Sequence, residues 1–130
     1  MKTFRYITIF LAVVNILGEI YRSWGDGRNI VWVLDDVFAS GFLIIAALCF
    51  TQDTKARRAA FAAAWGVSLG MIYMSFFSSL LDGANFNSGN LDWQFLLGVK
   101  AFIFLLCIFG VYAAICWPYS KSLSHGGEGI

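Results

Sequence analysis

Residues 29–43 read NIVWVLDDVFASGFL, and apolar residues continue from there to Phe50. The whole run is long enough to cross a lipid bilayer as a helix, since about 20 residues at about 1.5 Å each cover a hydrocarbon core of about 30 Å. Yet Asp35 and Asp36 stand side by side inside it. How this segment is read decides the fold, because only a structure that compensates two carboxylates can hold them at that depth.

The rest of the chain supplies matching segments. Apolar runs cover residues 4–23, 60–81 and 93–117, which with 29–50 makes four. A spanning segment must satisfy its own backbone groups, so it is a helix or part of a closed barrel. Continuous apolar runs lack the period-two alternation of barrel strands. The connections WGDGRN, TQDTKARR and DGANFNSGNLD are short and turn-forming, which forces neighbouring helices antiparallel. The expected fold is therefore all-α, an antiparallel four-transmembrane-helix bundle forming a single domain. Pro118 ends the fourth helix, and residues 118–130 are expected to form a flexible cytoplasmic tail.

Composition agrees with this reading. The chain of 130 residues is 59 % hydrophobic and 13 % charged, against roughly 25 % charged in soluble domains. A net charge of +1 gives no case for nucleic acid. Basic residues set the orientation. Lys2, Arg5, Lys55, Arg57, Arg58 and Lys121 outweigh Asp53 and Glu128 on the side that holds both termini. On the other side Glu19, Asp26, Asp35, Asp36, Asp82 and Asp92 outweigh Arg22, Arg28 and Lys100. Both termini are expected in the cytoplasm, with the protein in the inner membrane. MKTFR and the run after it resemble a secretory signal, but Glu19 and Arg22 separate that run from the small residues at Ser23–Gly25. The segment is expected to stay as a helix.

Depth explains the carboxylates. Asp35 and Asp36 lie about 9–10 Å along the axis from Asn29, and Lys100 lies about as deep from Trp93. Glu19 and Arg22 enter the same layer from the end of the first helix, with Arg28 in the adjoining loop. Three acids thus meet three bases. A lone charge at the bilayer centre costs about 2.5–3.5 kcal/mol on insertion scales, and pairing reduces that penalty. Adjacent helix positions are about 100° apart, so one aspartate is expected to face the bundle interior and Lys100. The other is expected to face Arg22, Arg28 or a neighbouring helix. Asn15, Glu19 and Arg22 share one helix face, as do Trp32, Asp36 and Ser40; Ser68, Ser75, Ser79 and Asp82 make a polar stripe on the third helix. The candidate intramembrane site is Asn15, Glu19, Arg22, Asp35, Asp36 and Lys100, and Trp32, Ser40, Tyr73, Ser75 and Ser79 are candidates to line a cavity.

Two functional readings follow. In the first, the charges are a structural staple that fixes helix register in an accessory membrane protein, packing against a second copy or a larger membrane partner. In the second, the same acids serve a proton-coupled carrier or channel for a small polar solute, since intramembrane ionisable groups mark such paths. A third helix with Ala59, Ala63, Gly66 and Gly70 on one stripe permits close helix approach. No cofactor and no metal are expected: the single histidine, His125, is in the tail, and carboxylates beside three bases make a poor cation site. Cys49, Cys107 and Cys116 form no C-x-x-C pair and read as small buried hydrophobes. A serine activated by Lys100 is chemically conceivable, but serines in membrane helices ordinarily hydrogen-bond to other helix groups. Enzymatic activity is not expected.

Overall fold

The computed structural model describes residues 2–25, 27, 29–85 and 90–117, with the backbone alone for Trp32. Four α-helices carry this part of the chain: α1 (Lys2–Ser23), α2 (Ile30–Cys49), α3 (Lys55–Asp82) and α4 (Trp93–Cys116). A single 3-10 turn, Gly83–Asn85, follows α3, and no strand occurs among the described residues. The tail, with Pro118, Lys121, His125 and Glu128, lies outside them, as do Asp26 and Arg28.

The starts of α2, α3 and α4 each have a local cause. Asn29 and Asp92 accept a backbone N–H two residues on, from Val31 and Gln94, and Thr54 accepts one from Arg57. Such side chains satisfy donors that the first helical turn leaves open. The Thr54 cap starts α3 at Lys55, five residues before the apolar run of residues 60–81 begins. Hydropathy alone misses that first turn, because KARR is polar but helix-favouring.

Among the described residues, α1, α3 and α4 are long and apolar enough to cross a membrane by length and composition; α2 holds 20 residues. Large apolar side chains stand exposed along all four helices, among them Phe10, Phe38, Met74 and Leu105. Such a surface is far more apolar than a water-soluble protein tolerates.

The helices pack in chain order, α1 on α2, α2 on α3 and α3 on α4. The backbones of α1 and α4 make no comparable close approach, which leaves a seam between the first and last helix. The two ends of the bundle are tied differently. At the end where α1 finishes, Asn90 donates from its backbone N–H to the Arg22 carbonyl at 3.2 Å. The Asn90 side chain donates to the carbonyls of Tyr21 (3.0 Å) and Trp24 (2.8 Å). The loop before α4 thereby caps the orphan carbonyls of α1.

At the opposite end, buried Arg58 grips the Asp53 carboxylate through both Nε and Nη2, the latter at 2.6 Å, and donates from Nη1 to the Trp117 carbonyl. One guanidinium thus joins the α2–α3 loop to the last turn of α4. The core beside it is aromatic. Phe4 meets Phe61 edge-on at 5.4 Å and stacks on Trp65 at 5.9 Å, while Phe50 closes on Phe61 at 5.3 Å. Trp65 lies flat against Gly110 of α4, with no room for even a methyl group between them.

Candidate functional site

A partly open cavity of about 330 Å³ lies inside the bundle, lined by all four helices. α1 contributes Asn15, Glu19 and Arg22; α2 contributes Asp36 and Ser40; α3 contributes Ser68 and Ser75; α4 contributes Lys100. Most of the remaining wall is apolar. Leu11, Leu43, Met71, Ile72, Ile103, Leu106 and Cys107 surround its deeper part, and Trp65 forms the floor against the aromatic core. The polar groups sit toward one end because each helix carries its charges near the terminus that enters there, and helical periodicity brings them to the inward face.

The polar rim is closely bonded. Arg22 Nη1 donates to Glu19 Oε2 at 2.9 Å, an i, i+3 pair with both side chains only 6 % exposed. Ser23 donates its hydroxyl to the other Glu19 oxygen at 3.0 Å. Asn15 Nδ2 donates to Ser40 Oγ at 2.8 Å, linking α1 to α2. Lys100, 4 % exposed, donates from Nζ to Ser79 Oγ at 2.6 Å and to the Ser75 carbonyl at 3.2 Å. Ser79 in turn donates to the Ser75 carbonyl at 2.7 Å. Glu19, Arg22, Asp36 and Lys100 each have further partners beyond these. Charge-assisted bonds of this kind are what makes a charged group tolerable away from water.

Of the six expected site residues, Asn15, Glu19, Arg22, Asp36 and Lys100 line this one cavity. Asp35 does not; it is exposed, on the outward side of α2. The rotation of about 100° between neighbours separates the two aspartates. Ser40 and Ser75 are in the cavity wall, and Ser79 lies just behind it as the anchor of Lys100. The side chain of Trp32 and the whole of Arg28 lie outside the described residues.

Tyr73 corrects the expectation of a lining role. It is exposed, its ring 4.7 Å from that of Phe77 and 6.2 Å from that of Phe104. Two residues before Ser75, it points about 200° around α3 from the inward stripe. Asp82 is exposed as well, and accepts a long bond of 3.4 Å from Ser78.

Three residues that organise the site carry no motif. Asn90 and Arg58 tie the two ends of the bundle, and Gly110 admits the indole that floors the cavity. A polar residue within a turn-rich loop is the only signal for Asn90. For Gly110 the signal is a glycine flanked by Phe109 and Val111 inside an apolar helix, which points to close approach of another group.

The arrangement limits the chemistry. Ser79 and Lys100 are within hydrogen-bonding reach, yet the hydroxyl is buried outside the cavity and donates back into its own helix. A nucleophile needs access to its substrate, so this pair serves as an anchor. No group of three or more His, Cys, Asp or Glu residues suited to a metal ion occurs among the described residues. The cavity instead combines a bonded, mixed-charge rim with an apolar interior, which is the make-up of a binding site for a small molecule. Comparison with known proteins finds no matching family, no similar curated protein and no similar solved structure.

Proposed function

We propose that the chain is a multi-pass inner-membrane protein with both termini in the cytoplasm, and that it acts as a proton-coupled carrier for a small polar molecule held in the central cavity. All four helices span the bilayer in this reading, and the basic residues around Arg5, Arg57 and Arg58 fix the cytoplasmic side. The observation that carries the proposal is the cavity itself. A charge network whose role was only to staple helices together would be expected to close on itself without leaving space. Here Asp36, Arg22 and Lys100 face about 330 Å³ of room, at the lower end of the roughly 300–1,000 Å³ common for ligand sites. Asp36 is the acid assigned to proton coupling, since it comes from a different helix than the Glu19–Arg22 pair and faces the cavity.

The test is flux. In proteoliposomes enclosing a pH-sensitive dye, gradients of small polar molecules should move protons with the wild-type chain. Asp36→Asn should lower that signal by about a hundredfold or more, the lower end of what a single positioned proton-transferring group contributes. Equal signals from the two proteins would overturn the carrier reading.

A second reading, an accessory protein that packs against a partner, is favoured by one observation. Ala59, Ala63, Gly66 and Gly70 all lie exposed on α3, and a Cβ at either glycine would meet open space. Small residues left uncovered in this way permit another helix to approach closely. A larger membrane protein retained in fixed ratio through purification in mild detergent would support that reading over the carrier.

A further inference from the structure

The shape of the cavity wall says how a ligand would enter. Among the lining residues, those that stand exposed are Val14 and Gly18 on α1 and Phe95 and Phe102 on α4; every lining residue from α2 and α3 is buried or half-buried. The mouth therefore lies in the seam where α1 and α4 do not pack closely. It opens sideways. Phe102 is nine residues into α4, about 13 Å from its start, so in a bilayer this mouth faces acyl chains as well as the headgroup layer.

The interior matches a molecule from that source. From Glu19 down to Leu11 on α1 is about 12 Å, and from Lys100 to Cys107 on α4 about 10 Å. Below the polar rim the wall is apolar apart from two groups: Ser68, whose hydroxyl is already committed to the Ala64 carbonyl at 3.1 Å, and the indole of Trp65, whose buried Nε1 has no hydrogen-bond partner. A cavity of about 150 Å³ encloses benzene, so the volume here suits about a dozen non-hydrogen atoms. The charges at the rim cancel: Glu19 and Asp36 against Arg22 and Lys100. None of the four is without a partner. A ligand with net charge would find no uncommitted counter-charge in a medium where an uncompensated ion is costly.

Resting on the part of the reading above that places a ligand in the central cavity, we infer that this ligand is not wholly polar but a single-tailed amphiphile with a short alkyl chain and a head of zero net charge, taken from the membrane through the seam between α1 and α4. Its tail lies along Leu43, Ile72, Ile103 and Leu106, and its head meets Asn15, Asp36 and Lys100. Two-chain lipids are excluded by volume. Gly18 sits at the mouth with open space around its Cβ position, so a large side chain can be placed there without disturbing the backbone.

The experiment is equilibrium binding of labelled N-alkyl betaines to the full chain in phosphatidylcholine nanodiscs, scored as the excess over empty nanodiscs. Tails of about five or six carbons, which with the betaine head make about a dozen non-hydrogen atoms, should bind at one per chain, and tails of about sixteen should show no excess, because they exceed the volume. Gly18→Phe should weaken binding about tenfold or more, whereas Leu17→Phe, one position round on the exposed face, should leave it within about twofold. Alkyl carboxylates and alkyl trimethylammonium ions of equal tail length should bind more weakly than the betaine. A preference for either ion, excess binding indifferent to tail length, or an equal effect of the two Phe substitutions would overturn the inference. Flux of small polar molecules without betaine binding would also overturn it while sparing the carrier; betaine binding without flux would uphold it and remove the carrier.

Discussion

Gly110→Ala should destabilise the bundle by about 1–3 kcal/mol, although alanine is the better helix former by up to about 1 kcal/mol. A Cβ at position 110 would sit 2.7 Å from Cε2 of Trp65 and closer still to Cδ2 and Cε3. Those atoms belong to a rigid ring, itself buried against Phe4, so the indole has nowhere to turn. The strain must instead part α3 from α4. Background makes the test specific. In Trp65→Leu the ring is gone, and because Nε1 of the indole has no hydrogen-bond partner, that substitution forfeits packing alone. There Gly110→Ala should be neutral or should stabilise the helix by up to about 1 kcal/mol. The comparison is made by thermal unfolding of the four proteins in nanodiscs. An identical effect of Gly110→Ala in both backgrounds would show that the indole does not lie on Gly110.

Arg58→Met should cost about 1.5–3 kcal/mol, the range for hydrogen bonds to charged groups. It removes both bonds to Asp53 and the bond to the Trp117 carbonyl, leaving a carboxylate and a helix-terminal carbonyl without their donor. The full penalty for breaking a buried pair, about 3–5 kcal/mol, is reduced because Asp53 keeps some contact with water, its side chain being 18 % exposed. Arg58→Lys should recover less than half of the loss. An ammonium has no planar fork with which to hold a carboxylate and a carbonyl together. Local loosening should accompany the change, read as faster hydrogen exchange in the last turn of α4. A lysine variant as stable as the wild type would show that charge alone, not the fork, joins these elements.

Much of this architecture is legible in the residues. Long apolar runs separated by short polar turns dictate helices, and short turns dictate antiparallel neighbours. The inward faces of α1 and α2 follow from spacing: Asn15, Glu19 and Arg22 on one, Asp36 and Ser40 on the other. What sequence does not carry is which helices leave a gap. Periodicity gives each helix an inward side but not its distance from the next, so neither the cavity nor its sideways mouth between α1 and α4 can be read from it. Side-chain reach is hidden for the same reason. Depth places Lys100 level with the aspartates, yet its ammonium is also bonded to Ser79 and to the Ser75 carbonyl on α3. Arg58 looks like one more basic residue of a polar connection; its role depends on the end of α4 arriving beside it, a contact 59 positions away in the chain.

The outward-facing Asp35 has a consequence for the surrounding lipid. Counting from Asp35 to Cys49, the uninterrupted apolar flank of α2 is about 21 Å long, shorter than an average hydrocarbon core of about 30 Å. With α2 across a bilayer, headgroups and water would dip toward that carboxylate, thinning the adjacent leaflet, one of the responses open to a short span. The bundle would sit in an asymmetric dimple, deepest on the flank of α2.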